Sequence, residues 1–213
     1  MLQSKGIANP PYTLPAIEDP NTGAFIMESL AIATYLDETY PDTPKVSSPA
    51  ARAALEEAGD VFSFGSGGGA AAHSDLAPRL VFLILAADRL NPVSKAYYHR
   101  TRAARLGELW TTVHDACAAS PEDRAARVRQ GIDALKGVWR KVTALYEREE
   151  PESRRSGGPF VLGEKPCFLD FVVAGRVKFV LDGLVPAEVD MVRNLDGGRL
   201  VRLVERLEGY YTC

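Results

Sequence analysis

The stretch Tyr12–Pro41, YTLPAIEDPNTGAFIMESLAIATYLDETYP, contains two strand-like runs followed by a helix-like run. TLPAI and AFIM favour strands, and EDPNTG between them has the Asp, Pro, Asn and Gly of a turn, so the segment predicts a β-hairpin. Apolar residues then recur at three- and four-residue spacing, at Ile32, Tyr35 and Leu36. This period predicts an amphipathic helix that ends at Pro41.

The sequence around this stretch changes character after the proline-rich connector Pro41–Pro49, PDTPKVSSP. Strand signals nearly vanish there and helical patterns follow, at roughly 76–89, 92–118, 121–149, 169–181, 186–193 and 198–207. We therefore expect an α/β piece at residues 1–44 and an all-α domain at residues 45–213. Within the second of these segments, Ser63–Ser74 is glycine-rich but lacks the lysine of a phosphate-binding loop, which favours a flexible break over a nucleotide site.

The composition excludes several classes of protein. The 213 residues are 46% hydrophobic and 25% charged, as in ordinary globular proteins, and the net charge of −3 argues against nucleic-acid or anionic-membrane binding. There is no apolar run long enough to span a membrane and no secretory signal in MLQSKGIANP. We expect a cytoplasmic protein without a membrane or nucleic-acid partner.

Cysteines and histidines give no sign of a disulfide framework or a metal site. The three cysteines are an odd number, far apart and without a CxxC pair, which favours a reducing compartment. The three histidines show no metal-ligand spacing, so no metal is expected. The residues are Cys117, Cys167, Cys213, His73, His99 and His114.

Leu14 and Pro15 at the head of the first strand suggest a place for an extended ligand. Pro15 has no N–H to donate, so the strand lies at an edge or begins there. Leu14 is pushed towards extended geometry, which leaves its backbone groups able to pair with an added peptide. Because only about 5–6% of X–Pro bonds are cis, spacing alone favours a trans bond here.

Glu28 and Ser29 begin the predicted helix, and two interpretations stay open. The acid and the hydroxyl are typical of helix capping, where they satisfy the first N–H groups. Alternatively, Ser29 and those N–H groups bind the carboxylate of a ligand, because helix N-termini attract anions.

The order of these parts resembles the glutathione transferase superfamily. A Leu-Pro strand, a DPNTG hairpin, a second strand and a Glu-Ser helix start resemble the second half of its thioredoxin-like domain. The resemblance implies that the proline is cis. It also implies that Leu14 and Pro15 bind the cysteinyl part of glutathione, and that Glu28 and Ser29 bind its γ-glutamyl end.

The second half of the chain supports the same resemblance. GPFVLGEKPCFLDFVVAGRVKFV, Gly158–Val180, is similar to the family's core helix and the Ser/Thr-x-x-Asp capping box at its start. Asp170 is present, but Cys167 occupies the hydroxyl position, at an expected cost of about 0.5–2 kcal/mol. Leu90–Gly107 together with Tyr35–Pro44 resembles fungal glutathione transferases of the β-etherase-like group.

In that family a βαβ unit precedes the Leu-Pro strand and contains the residue that activates the glutathione thiol. Such a unit needs about 30 residues or more, and only Met1–Pro11 precede the hairpin here. We therefore expect the unit to be lacking and assign no catalytic residue; Ser4 is expected in a solvated tail. Whether the chain is an enzyme stays open at this point.

The long helix after Asn91 borders the substrate pocket by the same resemblance. That implies pocket roles for Tyr97, Tyr98 and Arg100, although ordinary core and surface positions explain them equally well. Trp110 and Trp139 fit core positions. Cys117 and Cys167 have no activating base nearby in the sequence and are expected to be inert.

The function implied is that of a detoxification enzyme, attack by the glutathione thiolate on a hydrophobic electrophile. The co-substrate would be glutathione and the other partners small hydrophobic molecules, with a homodimer left open. One alternative is a small-molecule binder without catalysis, and another is a protein-interaction module. Fold resemblance alone does not choose among them.

Overall fold

The structure is a computed structural model that describes residues 14–59, 77–147 and 158–210. These residues fall into two compact units. The first comprises residues 14–57 and 158–170, and the second comprises residues 58–59, 77–147 and 171–210.

The first unit contains the predicted hairpin and helix. Strands β1 (Ala16–Asp19) and β2 (Ala24–Met27) pair antiparallel, with Ala16 opposite Met27 and Asp19 opposite Ala24. Gly23 closes the turn with a positive φ of 69°, which glycine adopts without steric cost, and its N–H donates to the Asp19 carbonyl at 2.7 Å. Helix α1 (Ser29–Thr39) packs on both strands.

Asp19 fastens this turn to α1. The Asp19 carboxylate accepts hydrogen bonds from the Tyr40 hydroxyl at 2.6 Å, the Tyr35 hydroxyl at 2.7 Å and the Asn21 N–H at 2.9 Å. These donors, Tyr40 first and then Tyr35, lower the pKa of Asp19 from 3.8 to about 2. Hydrogen bonds to a carboxylate favour its charged form. The side chain therefore stays ionised until strongly acid pH.

We expect Tyr40→Phe to raise the pKa of Asp19, because it removes the donor with the largest effect. A lowered pKa means that the bonds stabilise the fold fully above pH 3.8 and that this contribution is lost as the pH falls towards 2. The variant should therefore lose part of this stabilising contribution at neutral pH. Titration of the Asp19 carboxyl carbon by NMR measures the change, and Tyr97→Phe is the control because Tyr97 makes no hydrogen bond to Asp19. An unchanged Asp19 titration in Tyr40→Phe would contradict the assignment.

A second buried carboxylate holds the connector that follows α1. Asp37 accepts from the N–H of Val46 at 3.0 Å and from the N–H and hydroxyl of Ser47 at 2.6 and 2.8 Å. The Val46 carbonyl in turn accepts from the Phe168 N–H at 2.8 Å. The division predicted from the sequence falls after Pro44, whereas the first compact unit continues to Glu57 and includes residues 158–170. The hydrogen bonds of Asp37 and Val46 explain this difference, because they hold the connector and residues 158–170 with the hairpin.

Helices make up the second unit, apart from short turns. Helix α2 (Pro49–Ala58) ends where this unit begins, and helix α7 (Phe168–Gly183) begins in the first unit and continues into the second. The remaining bounds are α3 Leu80–Ala87, α4 Pro92–Leu106, α5 Glu108–Ala119, α6 Pro121–Tyr146, α7 Phe168–Gly183, α8 Pro186–Arg193 and α9 Arg199–Arg206.

The predicted single helix over residues 92–118 is wrong, because the chain breaks at Gly107. Gly107 has φ 56° and ψ −136°, ends α4 and begins α5. Glycine reaches this conformation at little cost, whereas a residue with a Cβ does so rarely. Apolar periodicity on either side of Gly107 is compatible with one helix, so the sequence pattern did not reveal the break.

The core of the second unit lies around α3. Six of the eight residues of α3 are buried, and Leu80 and Ile84 pack with Trp110 and Val113 of α5. Trp110 and Trp139 are 2% and 5% exposed, so both occupy core positions. No helix in the described ranges is long and apolar enough to cross a membrane.

Candidate functional site

The peptide bond between Leu14 and Pro15 is cis. The trans bond favoured by spacing is therefore wrong, and the cis bond implied by the family resemblance is present. Leu14 is 92% exposed and lies directly before β1. Its backbone groups are at the edge of the hairpin, where an extended ligand could pair with them.

Glu28 forms an unusual junction between β2 and α1. It has φ 76° and ψ 125°, one of two non-glycine residues with positive φ in the described ranges. Such a conformation costs about 1–3 kcal/mol in a residue with a side chain and is most often found at functional sites. Its carbonyl accepts the first intrahelical hydrogen bond, from the Ile32 N–H at 2.8 Å.

No side-chain hydrogen bond caps the start of α1. The capping role left open for Glu28 is thus not seen, since its side chain does not bond to the helix N–H groups. The N–H groups of Ser29, Leu30 and Ala31 precede the first intrahelical bond and lack helical acceptors. With the exposed Ser29 hydroxyl beside them, they form a set of donors suited to a carboxylate.

Asp170 contacts Cys167 at the start of α7. Both residues belong to the same compact unit as the start of α1, although they are far from it in the sequence. The Asp170 carboxylate is fully buried and accepts from the Cys167 N–H at 2.8 Å and the Val161 N–H at 3.0 Å. The acidic half of the capping box is thus formed, and Asp170 also holds the Phe160–Gly163 turn.

The two described cysteines are poor nucleophiles. Burial, and then the neighbouring Asp170 carboxylate, raise the pKa of the Cys167 thiol to about 12. Burial also raises the pKa of Cys117. Since the thiolate is the reactive form, neither side chain is activated near neutral pH. Cys213 lies outside the described residues.

The three predicted pocket residues on α4 do not all lie on one face of the helix; they are Tyr97, Tyr98 and Arg100. Tyr97 is 61% exposed, and the guanidinium carbon of Arg100 lies 5.6 Å from the centre of its ring. Tyr98 packs inward, with its ring centre 6.1 Å from that of Trp110, and the guanidinium carbon of Arg102 lies 4.6 Å from the centre of the Tyr98 ring. Only Tyr97 and Arg100 are therefore placed together on the outer face of α4.

Three polar groups have structural contacts that no sequence pattern indicates, namely Asp19, Asp37 and His99. The turn residues around Asp19 were recognised, but its tyrosine donors come from sixteen and twenty-one residues later. In the described part of the chain, no group of three or more His, Cys, Asp or Glu side chains could hold a metal ion. The predicted positions Ser4 and His73, and the glycine-rich run Ser63–Ser74, lie outside the described residues.

Comparison with known proteins gives two family matches and one curated relative. The model of the glutathione S-transferase C-terminal domain matches residues 70–210, and that of the N-terminal domain matches residues 7–44. The glutathione S-transferase-like protein ustS of Aspergillus flavus is 32% identical over 167 residues, covering 76% of this chain and 54% of that protein. The chain spans about half the length of this curated relative.

Solved structures of fungal proteins are also similar. The glutathione S-transferase CsGST83044 of Ceriporiopsis subvermispora, solved in complex with glutathione, is 32% identical with a TM-score of 0.65; the match covers 93% of this chain and 72% of that one. CsGST63524 of the same fungus, also solved in complex with glutathione, is 29% identical with a TM-score of 0.68. That match covers 95% of this chain and 73% of the other. The expected thioredoxin-like piece followed by a helical domain is confirmed, and the β-etherase-like subgroup stays a prediction. With the C-terminal family model matching more than half of its length, this chain belongs to the glutathione S-transferase family, with fungal relatives.

Proposed function

We propose that the chain binds glutathione at the start of α1 and at the Leu14–Pro15 bond. The observation that carries the proposal is the uncapped N-terminus of α1, reached through the strained residue Glu28. Leu14, Pro15, Glu28 and Ser29 all belong to the first compact unit. Two relatives of known structure were solved with glutathione, which supports the same ligand here.

Each part of the site matches a part of the tripeptide. The Leu14 backbone would pair with the cysteinyl residue as an added strand does, through N–H and C=O groups. The Ser29 hydroxyl and the first N–H groups of α1 would bind the γ-glutamyl carboxylate, helped by the positive end of the helix dipole. The Glu28 carboxylate would attract the γ-glutamyl ammonium group.

The finer proposal is transfer of glutathione to a hydrophobic electrophile by attack of its thiolate. Residues 1–44 would bind glutathione, and residues 45–213 would supply the apolar surface, including Tyr97 and Arg100 on α4. The reaction needs no metal. A cytoplasmic location, a homodimer and a role in detoxification belong to the same proposal and stay predictions.

We expect Ser29→Ala to weaken glutathione binding by about tenfold or more, since a hydrogen bond to a charged group contributes about 1.5–3 kcal/mol. Isothermal titration with glutathione measures the dissociation constant of the wild type and the variant. Ser94→Ala is the matched control, because it makes the same change on α4 in the other unit. Equal affinities for the wild type and Ser29→Ala, or no glutathione binding by folded wild-type protein, would contradict the proposed site.

A turnover assay separates the transferase from the alternatives. Conjugation of glutathione to 1-chloro-2,4-dinitrobenzene above the uncatalysed rate, lost together with binding in Ser29→Ala, would support the transferase. Glutathione binding without turnover of this or other aryl and alkyl electrophiles would favour a binding protein. A defined complex with another protein and no glutathione binding would favour an interaction module.

A further inference from the structure

His99 on α4 and His114 on α5 form an imidazole pair between the two helices. Their ring centres are 4.8 Å apart with the planes at 74°, and the Trp110 ring lies 5.7 Å from His99. The Nδ1 atom of His99 is buried and has no hydrogen-bond partner in the described part of the chain. The half-buried His99 ring thus contacts aromatic groups, and its Nδ1 atom has no acceptor beside it that would stabilise the cation.

The attachment of helix α4 to its neighbours depends on half-buried contacts such as those of His99. None of its fifteen residues is fully buried, and it packs on α3 and α5 through partly buried side chains. Tyr98, Ala103 and Leu106 are those that contact the core cluster of Leu80, Ile84, Trp110 and Val113. A helix attached in this way separates from its neighbours at a lower free energy than a helix of the core.

The charged groups around His99 oppose a positive charge on its ring more than they favour one. Burial comes first in lowering the pKa of His99, followed by His114 of α5 and Lys95 of α4; Asp88, after α3, acts in the other direction. Asp88 is already paired with Lys95 at 2.6 Å, and Asp115 of α5 is within 3.1 Å of the His114 ring. Both nearby carboxylates are therefore in contact with side chains other than His99.

We propose that the His99–His114 pair makes the attachment of α4 acid-sensitive, so that α4 separates from α3 and α5 when His99 is protonated. In the separated state His99 is hydrated and accepts a proton more readily. Since His99 binds its proton less well in the packed state, packing is fully stable above pH 6.5 and is weakened as the pH falls below it. The equilibrium constant for separation rises by up to about tenfold for each pH unit.

This behaviour concerns the part of α4 that presents Tyr97 and Arg100. Both lie within two residues of His99 in the sequence and move with the helix. Acidification would therefore raise the fraction of molecules in which this surface is detached, while the remaining helices stay folded.

Amide hydrogen exchange of the full chain tests it, with peptides followed by mass spectrometry at about pH 7.5 and about pH 5.5 and rates corrected for intrinsic exchange. In the wild type, α4 peptides should lose up to about tenfold of their protection at the lower pH, while α6 peptides keep theirs. His99→Phe keeps an aromatic ring but does not titrate, and should abolish the difference. His114→Gln should reduce it, because it removes the ring that contacts His99 and the electrostatic effect of His114 on the His99 pKa.

The outcomes are distinct. Equal protection of α4 at both values of pH in the wild type would overturn the proposal. So would a loss of protection shared equally by α4 and α6, which would mean global unfolding. An undiminished loss in His99→Phe would assign the effect to another group; if His99→Phe does not fold, an undiminished loss in His114→Gln counts equally against the pair.

Discussion

Gly131→Ala is expected to destabilise the protein by about 1–3 kcal/mol, although alanine is the better helix former. A Cβ at position 131, on α6, would lie 2.6 Å from Cγ1 of Val81 and 2.8 Å from the carbonyl oxygen of Pro78. The Phe82 ring is 3.1 Å away. Because the Pro78 contact is with backbone, no rotation of a side chain relieves it, and α6 must shift away from α3.

Gly137 provides the matched control on the same helix. A Cβ there would meet nothing within 4 Å, and the residue is exposed. Gly137→Ala should therefore stabilise the protein by about 0.5–1 kcal/mol. Urea denaturation followed by circular dichroism measures both variants. If the two substitutions changed the free energy of unfolding in the same direction, the close approach of α6 and α3 would be refuted.

The second large effect is expected at Asp170, where substitution by alanine should cost about 2–5 kcal/mol. The carboxylate is fully buried and accepts from the N–H groups of Cys167 and Val161. Removal leaves two N–H groups without this acceptor, at about 1–3 kcal/mol each. It also removes the acidic half of the cap at the start of α7.

Two companion variants isolate the cause. Asp182→Ala changes an exposed aspartate near the end of α7, where the loss of its pair with Lys178 should cost only about 0.3–0.5 kcal/mol. Cys167→Ser supplies the hydroxyl that the capping box lacks and should stabilise the protein by about 0.5–1 kcal/mol. Chemical denaturation measures all three; a loss at Asp170 no larger than that at Asp182 would show that the buried bonds contribute little.

The elements predicted from the sequence are those whose causes lie close together in the chain. The hairpin follows from turn residues flanked by apolar runs, and α1 follows from its periodicity. The break at Gly107 was missed because a single glycine within a long apolar pattern does not show its φ angle. The spacing around Leu14 and Pro15 likewise gave no sign of a cis bond.

The candidate site was predictable as a set of positions but not as a geometry. Its residues came from the resemblance, whereas the positive φ of Glu28 and the uncapped start of α1 appear only in the structure. Apart from the Asn21 bond, the contacts of the Asp19 and Asp37 carboxylates join residues that are between nine and twenty-one positions apart. The pair of His99 and His114 depends on how α4 folds back on α5, which no local pattern specifies.

The hydrogen bond from the Phe168 N–H to the Val46 carbonyl has a consequence for synthesis on the ribosome. The first unit needs residues from both sides of about one hundred intervening positions, so it is not complete until the segment ending at Asp170 has left the exit tunnel. At a translation rate of about 5–20 residues per second, roughly 5–20 seconds pass between synthesis of the hairpin and α1 and synthesis of residues 158–170. During this interval the nascent N-terminal segment is open to chaperones and proteases, and most of the helical domain is made before that segment can finish folding.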